Sequence, residues 1–410
     1  MTDKVVVTGI GVLAPNGRDT EDFWAATLAG TSGIGEITGF DTTRYASRLA
    51  GLIRGFDAAE HLPKRLLPQT DVSTRYALTA AASALEDAGV DPAELPEFDM
   101  GVMTSNATGG FEFTHREFRK LWSEGPSKVS VYESFAWFYA VNTGQISIRH
   151  GMRGPGAVVV SEQAGGLDAV GNARRAVRLG TPLVVCGGLD SAFDPWGWAA
   201  HLSGGRVSTS TDPARAYLPF DADAGGYVPG EGGAILIAEN ADTARSRGRT
   251  GYGEIAGYAA TFDPAPGSGR PPGLRRAAEL ALADAGLRPA DVGAVFADAA
   301  GLRAADAAEA DAVRELFGPG GVPVTVPKAL TGRLFAGGGP LDLAAALLSL
   351  RDRVLPAAPP TSVPRAYGID LVLGEPRHCD ADAALVLARG KGGFNSAVVV
   401  RRTDPADAPG

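Results

Sequence analysis

Residues 156–180, GAVVVSEQAGGLDAVGNARRAVRLG, place a polar triplet where a side chain meets a helix terminus. Residues 157–160 form a short apolar, β-branched run that reads as a buried strand. From Ala164 onward Leu167, Val170, Ala173 and Val177 recur at helical spacing. Ser161, Glu162 and Gln163 fall at the turn between the two, beside the free N–H groups and positive end of the helix. Such an elbow stabilises an anion and lowers a thiol pKa, so it suits a nucleophile. The tip residue is Gln163, whose neutral amide donates and accepts hydrogen bonds but does not ionise. The stretch has the layout of an active site without the reactive atom.

A second pattern lies in residues 106–125, NATGGFEFTHREFRKLWSEG, where Phe111, Thr114 and Phe118 are spaced i, i+3, i+7. On a helix they share one face and span about 10 Å at ~1.5 Å per residue; as a pattern alone this is an ordinary core stripe. Residues 132–139 then hold Tyr132, Phe135, Trp137, Phe138 and Tyr139, a density that suits either a subunit interface or a deep core. Cys186, inside LVVCGG, reads as a small core residue. Neither it nor Cys379 belongs to a CxxC pair or a Cys/His cluster, so no disulfide and no zinc are expected. The basic run at 245–249, RSRGR, reads as a solvated turn rather than a docking patch.

The elements that must position these residues are α/β in character. Residues 4–11 and 101–105 are strand-like, 20–30 and 71–89 helical, and 181–193 a buried strand with a Gly-Gly exit. Residues 209–233, rich in turn formers, read as an ordered surface loop before the strand AILIAEN. The second half repeats the first. A helix ends ALADAG where the earlier one ends ALEDAG, GAVFAD follows as a strand, and GGPLDLA opens a helix where the first half has GGLDAV. Residues 384–400 then pair two strands about Gly-Gly. A tandem duplication with a pseudo-twofold explains this economically. The tail from Thr403 reads as loose.

Composition narrows the function classes. The 410 residues are 45% hydrophobic, enough for a large core, and 55 glycines sit mostly beside apolar runs. A net charge of −9 makes nucleic acid and anionic membranes poor partners. No apolar run approaches the ~18–20 residues of a membrane span and the N-terminus has no signal-peptide layout, so a cytoplasmic location is expected.

The order of motifs, VVVTGIGVLAPNG, VSEQAGGLDA, PFDADAGGYVPGEGG, VPKALTGR and GKGGFNSA, closely resembles the β-ketoacyl synthases, the condensing-enzyme branch of the thiolase fold. More narrowly, the chain is similar over residues 4–402 to the chain length factors, or ketosynthase β subunits, of bacterial type II aromatic polyketide synthases. The resemblance implies a thiolase-like α/β fold of duplicated halves, 1–250 and 251–410, in an αβαβα arrangement, with a degenerate elbow at 161–165. Active relatives carry a cysteine at the position of Gln163 and histidines at those of Asp298 and Arg333, while Lys328 matches a lysine they keep. Lys391 stands where they usually place a gating phenylalanine. Without thiol or imidazoles the groups needed for condensation are missing.

The resemblance further implies a heterodimer with a ketosynthase α subunit; the chain's own negative charge then directs an acidic acyl carrier protein mainly to that partner, with Arg174, Arg175 and Arg178 as local basic contacts. It implies no cofactor, no nucleic acid and no membrane. Phe111, Thr114 and Phe118 match the positions that limit chain growth, and two phenylalanines imply a closed tunnel end and an octaketide-class product. A malonyl-carrier decarboxylase using the Gln163 amide in an oxyanion hole is the alternative, although Asp298 would repel the departing carboxylate. A self-sufficient homodimer would have a tunnel and no nucleophile. The expected structural role for Gln163 is to plug the vacated pocket with its amide hydrogen-bonded, and for Asp298 and Arg333 to form a salt bridge.

Overall fold

The structure, a computed structural model, describes residues 4–265 and 267–403; the residues after Thr403, expected to be loose, lie outside the described residues. Runs of β-branched and small apolar residues become β1 (Val5–Leu13), β2 (Met100–Ser105), β3 (Gly156–Val159), β4 (Leu183–Asp190), β5 (Gly232–Asn240) and β6 (Gly253–Phe262). The second half adds β7 (Ala294–Phe296), β8 (Pro323–Thr325), β9 (Asp370–Leu371), β10 (Ala383–Gly390) and β11 (Phe394–Arg401). The helices of nine residues or more are α1 (Thr20–Leu28), α2 (Val72–Asp87), α3 (Phe111–Glu124), α4 (Val141–His150), α5 (Gly165–Arg178), α6 (Pro195–Ser203), α7 (Leu274–Ala285), α8 (Arg303–Phe317) and α9 (Gly338–Asp352).

The strands hydrogen-bond in the order β9-β8-β7-β10-β11-β6-β1-β5-β4-β2-β3. From the middle outward the two halves match: β1-β5-β4 and β6-β11-β10 are antiparallel, and β4-β2-β3 and β10-β7-β8 parallel. β1 and β6 join them through only Val6–Glu254 and Val7–Gly253. Side-chain alternation produces the layers. Leu183, Val185, Ile235 and Ile237 pack with α2 on one outer face, whereas Val184, Cys186, Leu236 and Ala238 pack inward with Val170 and Ala173 of α5 and Leu343 and Leu347 of α9. Val386, Val398 and Val400 close the inner layer from the other half, and Leu385, Leu387 and Val399 pack outward with α7. The result is α2, sheet, α5 with α9, sheet, α7 with α8, the αβαβα order expected. α5 and α9 approach closely because Gly166 carries no side chain; a Cβ there would lie 2.2 Å from the Ala336 carbonyl oxygen.

Two expectations are corrected. β3 is an edge strand and only half-buried, because β2 pairs with it on one side and no strand covers its other edge among the described residues. The glycine- and proline-rich 209–233 stretch is mostly interior: 216–221 and 226–233 are buried. It passes inside because its backbone is paired, Gly51 N–H to Pro229 O (2.9 Å), Glu231 N–H to Gly51 O (2.9 Å) and Gly230 N–H to Arg333 O (2.9 Å). The RSRGR run is a helix end and turn exposed at Ser246, Gly248 and Arg249, as expected, with Arg247 anchored: its Nη2 donates to the buried Glu239 carboxylate at 2.6 Å and Nη1 to Gly89 O at 3.1 Å. Cys186 is fully buried, and burial alone pushes its thiol up to about 12. Among the described residues no helix is long and apolar enough to cross a membrane.

Candidate functional site

The turn from β3 into α5 is built by Glu162, whose φ of +52° puts a non-glycine residue in the left-handed region. Its carboxylate supports that conformation, with Oε2 accepting the Gln163 N–H (2.9 Å) and the Lys391 N–H (3.0 Å) of the β10–β11 turn. Ser161 Oγ donates to Asp168 Oδ2 at 2.6 Å, and the Tyr258 hydroxyl to Oδ1 at 3.0 Å. Gln163 is fully buried, as a plug should be. Its amide, however, has no hydrogen-bond partner among the described residues at either Nε2 or Oε1, against the expectation. The amide lies against the first residue of α9, where a Cβ on Gly338 would come within 2.1 Å of Nε2. The nearby donors are already committed: Gly338 N–H to Phe335 O, Ala164 N–H to Ser161 O and Gly165 N–H to Glu162 O. Tight 3₁₀ turns at both helix starts use these N–H groups within the backbone and keep them from the amide.

Beside it the structure brings together the other predicted positions. Arg333 Nη2 lies 3.1 Å from Asp298 Oδ1 and Nη1 3.2 Å from Oδ2, with both side chains buried. Asp298 also accepts the Arg389 N–H at 2.9 Å, and Arg333 Nη2 donates to Arg389 O at 2.5 Å. Burial opposes the Arg333 charge, but the Asp298 carboxylate, with Glu162 and Tyr217 adding to it, holds the guanidinium above its usual range. The turn carrying Asp298 is fixed from α8, where Glu309 accepts the N–H groups of Asp298 (2.7 Å) and Ala299 (2.8 Å). Burial and then the Asp298 carboxylate push Glu309 up to about 7. Lys328 Nζ reaches Asp342 at 2.5 Å and the Ala297 carbonyl. Burial raises Asp342 to about 6, the nearby ammonium working against it. The knot offers an amide, a bound guanidinium and committed carboxylates, with no thiol or imidazole among Gln163, Asp298, Arg333 and Lys328.

The second pattern falls on α3. Thr114 is buried, and Phe111 and Phe118 are half-buried. Both rings pack on Trp196 of α6, with centroids 4.8 Å and 5.8 Å apart, and Phe118 also meets Trp122 at 5.3 Å. Sequence reasoning missed Trp196. The only signal was Asp194-Pro195, an N-cap and N1 pair that opens α6 one residue before it. The aromatic stretch at 132–139 is no deep core: Trp137 is 48% and Phe138 45% exposed, beside Val131 at 79%. Ile148 and Val160 are exposed as well. Arg174 is not a docking residue, because it is buried between α5 and β6. Its Nη1 pairs with Asp284 at 2.6 Å and its Nε donates to Ile255 O at 2.8 Å. Arg175 remains exposed.

Residues 2–243 match the family described as Beta-ketoacyl synthase, N-terminal domain, and residues 252–361 match its C-terminal domain. The chain is 66% identical over 98% of its length to the actinorhodin polyketide β-ketoacyl synthase 2 of Streptomyces coelicolor, covering 99% of that protein. It is 59% identical over 97% of its length to the tetracenomycin polyketide synthase ketoacyl synthase beta subunit of Streptomyces glaucescens, covering 98% of it. The solved ishigamide ketosynthase/chain length factor shares the fold, with a TM-score of 0.89 at 24% identity over 98% of this chain and 99% of that one. Duplicated halves, an elbow feeding a central helix pair, and motifs matched across both halves come to one conclusion: the chain belongs to the β-ketoacyl synthase family.

Proposed function

We propose that this chain is a chain length factor, the β subunit that pairs with a ketosynthase α subunit in the condensing heterodimer of a type II polyketide synthase. The buried Asp298–Arg333 pair carries this reading. At the positions where active relatives keep two imidazoles there is instead a salt bridge, and its guanidinium neither accepts a proton nor leaves its carboxylate free to do so. With Gln163 at the elbow tip, the subunit itself is non-catalytic. The partner supplies the thiol and receives the acyl carrier protein. No cofactor is needed, and residues 1–250 and 251–410 act as one duplicated scaffold.

The exposed Val131, Trp137, Phe138 and Tyr139, together with the open edge of β3, support a large apolar contact with that partner. Phe111, Thr114 and Phe118 are the gate at the end of the growing chain, and Trp196 backs it. Two ring side chains on one helical face leave little depth, which favours an octaketide-class product. Decarboxylation by this subunit is the weaker reading, because the positions where active relatives keep two imidazoles hold Asp298 and Arg333 bound to each other, and an aspartate there repels a departing carboxylate.

The test is the Phe111→Ala/Phe118→Ala double variant in the reconstituted heterodimer with its ketosynthase and carrier protein. Products longer by at least one ketide are expected, read as product mass. An unchanged carbon count in a folded, assembled complex would overturn the gate. Elongation of acyl groups by the isolated chain would overturn the non-catalytic assignment.

A further inference from the structure

Helix α3 has no cap of its own. Its N-cap is Gly110, with no side chain to bond the first-turn N–H groups, and a Cβ there would lie 1.9 Å from the Ala136 carbonyl oxygen, so the chain cannot place a capping residue at that point. The cap comes from elsewhere. Asp71, only 2% exposed, is the N-cap of α2, where Oδ1 accepts the Ser73 N–H at 2.9 Å. Its other oxygen, Oδ2, accepts the Phe113 N–H of α3 at 2.9 Å, the third N–H of that helix and one that an N-cap side chain normally takes. One carboxylate therefore sits between two helix N-termini, the electrostatically favoured place for an anion. Helix α2 is fixed in turn to the framework: Tyr76 donates to the buried Glu231 at 3.2 Å, and its apolar face lies in the outer core of the N-terminal sheet.

The loop entering α3 is held independently. Asp190 accepts the N–H groups of Ala107 (3.0 Å) and Thr108 (3.1 Å), and also that of Ala336 (2.8 Å) at the second helix-opening turn. Asp71 then determines what happens in the first turn itself, and Phe111 is the first residue of that turn. Without the cap the turn frays and the Phe111 ring leaves Trp196, while Phe118, two turns on and held by Trp122 as well, stays.

We propose that Asp71 is a positioning residue for chain-length control: by capping α3 from the neighbouring helix it fixes the Phe111 ring and keeps products to one length. This rests on the gate reading above. The experiment uses the full chain with its ketosynthase and carrier protein, comparing Asp71→Ser, Asp71→Asn, Phe111→Ala and, as a remote cap loss, Asp19→Ala, whose carboxylate caps α1 through the Asp22 N–H. Serine keeps an oxygen for Ser73 but is too short to reach Phe113 as well. Losing one cap should raise the ratio of longer to native-length product about fivefold in Asp71→Ser, with Asp19→Ala leaving the ratio unchanged. If Asp71→Ser does not assemble, Asp71→Asn, which retains one acceptor oxygen, is read in the same way. A wild-type ratio in the Asp71 variants alongside a raised ratio in Phe111→Ala would overturn the role of Asp71 and leave the gate standing. No change in Phe111→Ala either would remove the gate itself. An equal rise in Asp19→Ala would reduce the effect to general destabilisation and overturn the proposal.

Discussion

The knot at Gln163, Asp298, Arg333 and Lys328 and the aromatic set at Phe111, Phe118 and Trp196 are opposite solutions to having a pocket. The knot is fully enclosed and polar, its charges balanced by a bidentate guanidinium, an ammonium and backbone N–H groups. The aromatic set is half-open and makes no ion pairs; its rings meet at 4.8 to 5.8 Å. Enclosed charges tolerate almost no change, since removing one strands its partner, whereas rings at a half-open surface can be trimmed with modest loss. The difference teaches where the chain can vary: side chains can change at the aromatic set while the knot holds the layers together.

The strongest way to break this comparison is Arg333→Ala. It leaves the Asp298 carboxylate buried with only the Arg389 N–H, and should cost about 3–5 kcal/mol in urea unfolding. The paired replacement Asp298→Leu/Arg333→Met should cost less than either single change. A single variant as stable as the parent would mean that the pair is idle.

A finer test is Gln163→Leu. Because the amide has no partner, an apolar residue of similar size should be neutral or stabilise by about 1 kcal/mol, and carbon dioxide release from malonyl-carrier protein should not change. A loss of about 2 kcal/mol or more would show that the amide is bonded after all.

The smallest effect is in the pH dependence. Glu309 is raised to about 7 from an ordinary 4.5, so the folded state holds its proton over that interval while the unfolded state has released it. Its ionisation therefore removes stability as pH rises from about 4.5 to 7. Glu309→Gln abolishes this contribution, so stability of the variant plotted against pH should fall less steeply across that window than the parent's. Parallel curves would rule out titration of Glu309 in that range.

Much of this was legible in sequence because period and punctuation are local. Continuous apolar runs and Gly-Gly exits marked β4 and β10, and ALEDAG and ALADAG marked α2 and α7. The Asp298–Arg333 pair was legible only through the resemblance to the β-ketoacyl synthases, whose two histidine positions these residues occupy. What was not legible depended on partners far along the chain. A four-residue run such as β3 looks alike at the centre or the edge of a sheet. The 209–233 stretch carried the turn formers of a surface loop, and only bonds to Gly51 and Arg333 put it inside. Gln163 was expected to be bonded because buried amides usually are; that its neighbours had already committed their N–H groups to 3₁₀ turns is a fact of three dimensions.

The unpaired outer edge of β3 has a consequence for the cell that makes this chain. A bare row of backbone donors and acceptors next to protruding tryptophan and phenylalanine is adhesive toward any extended polypeptide, including nascent copies of itself. Surplus chain is therefore a hazard, and in the heterodimer proposed above translation of the two subunits should be matched in amount and timing, so that each new edge is covered as soon as it forms.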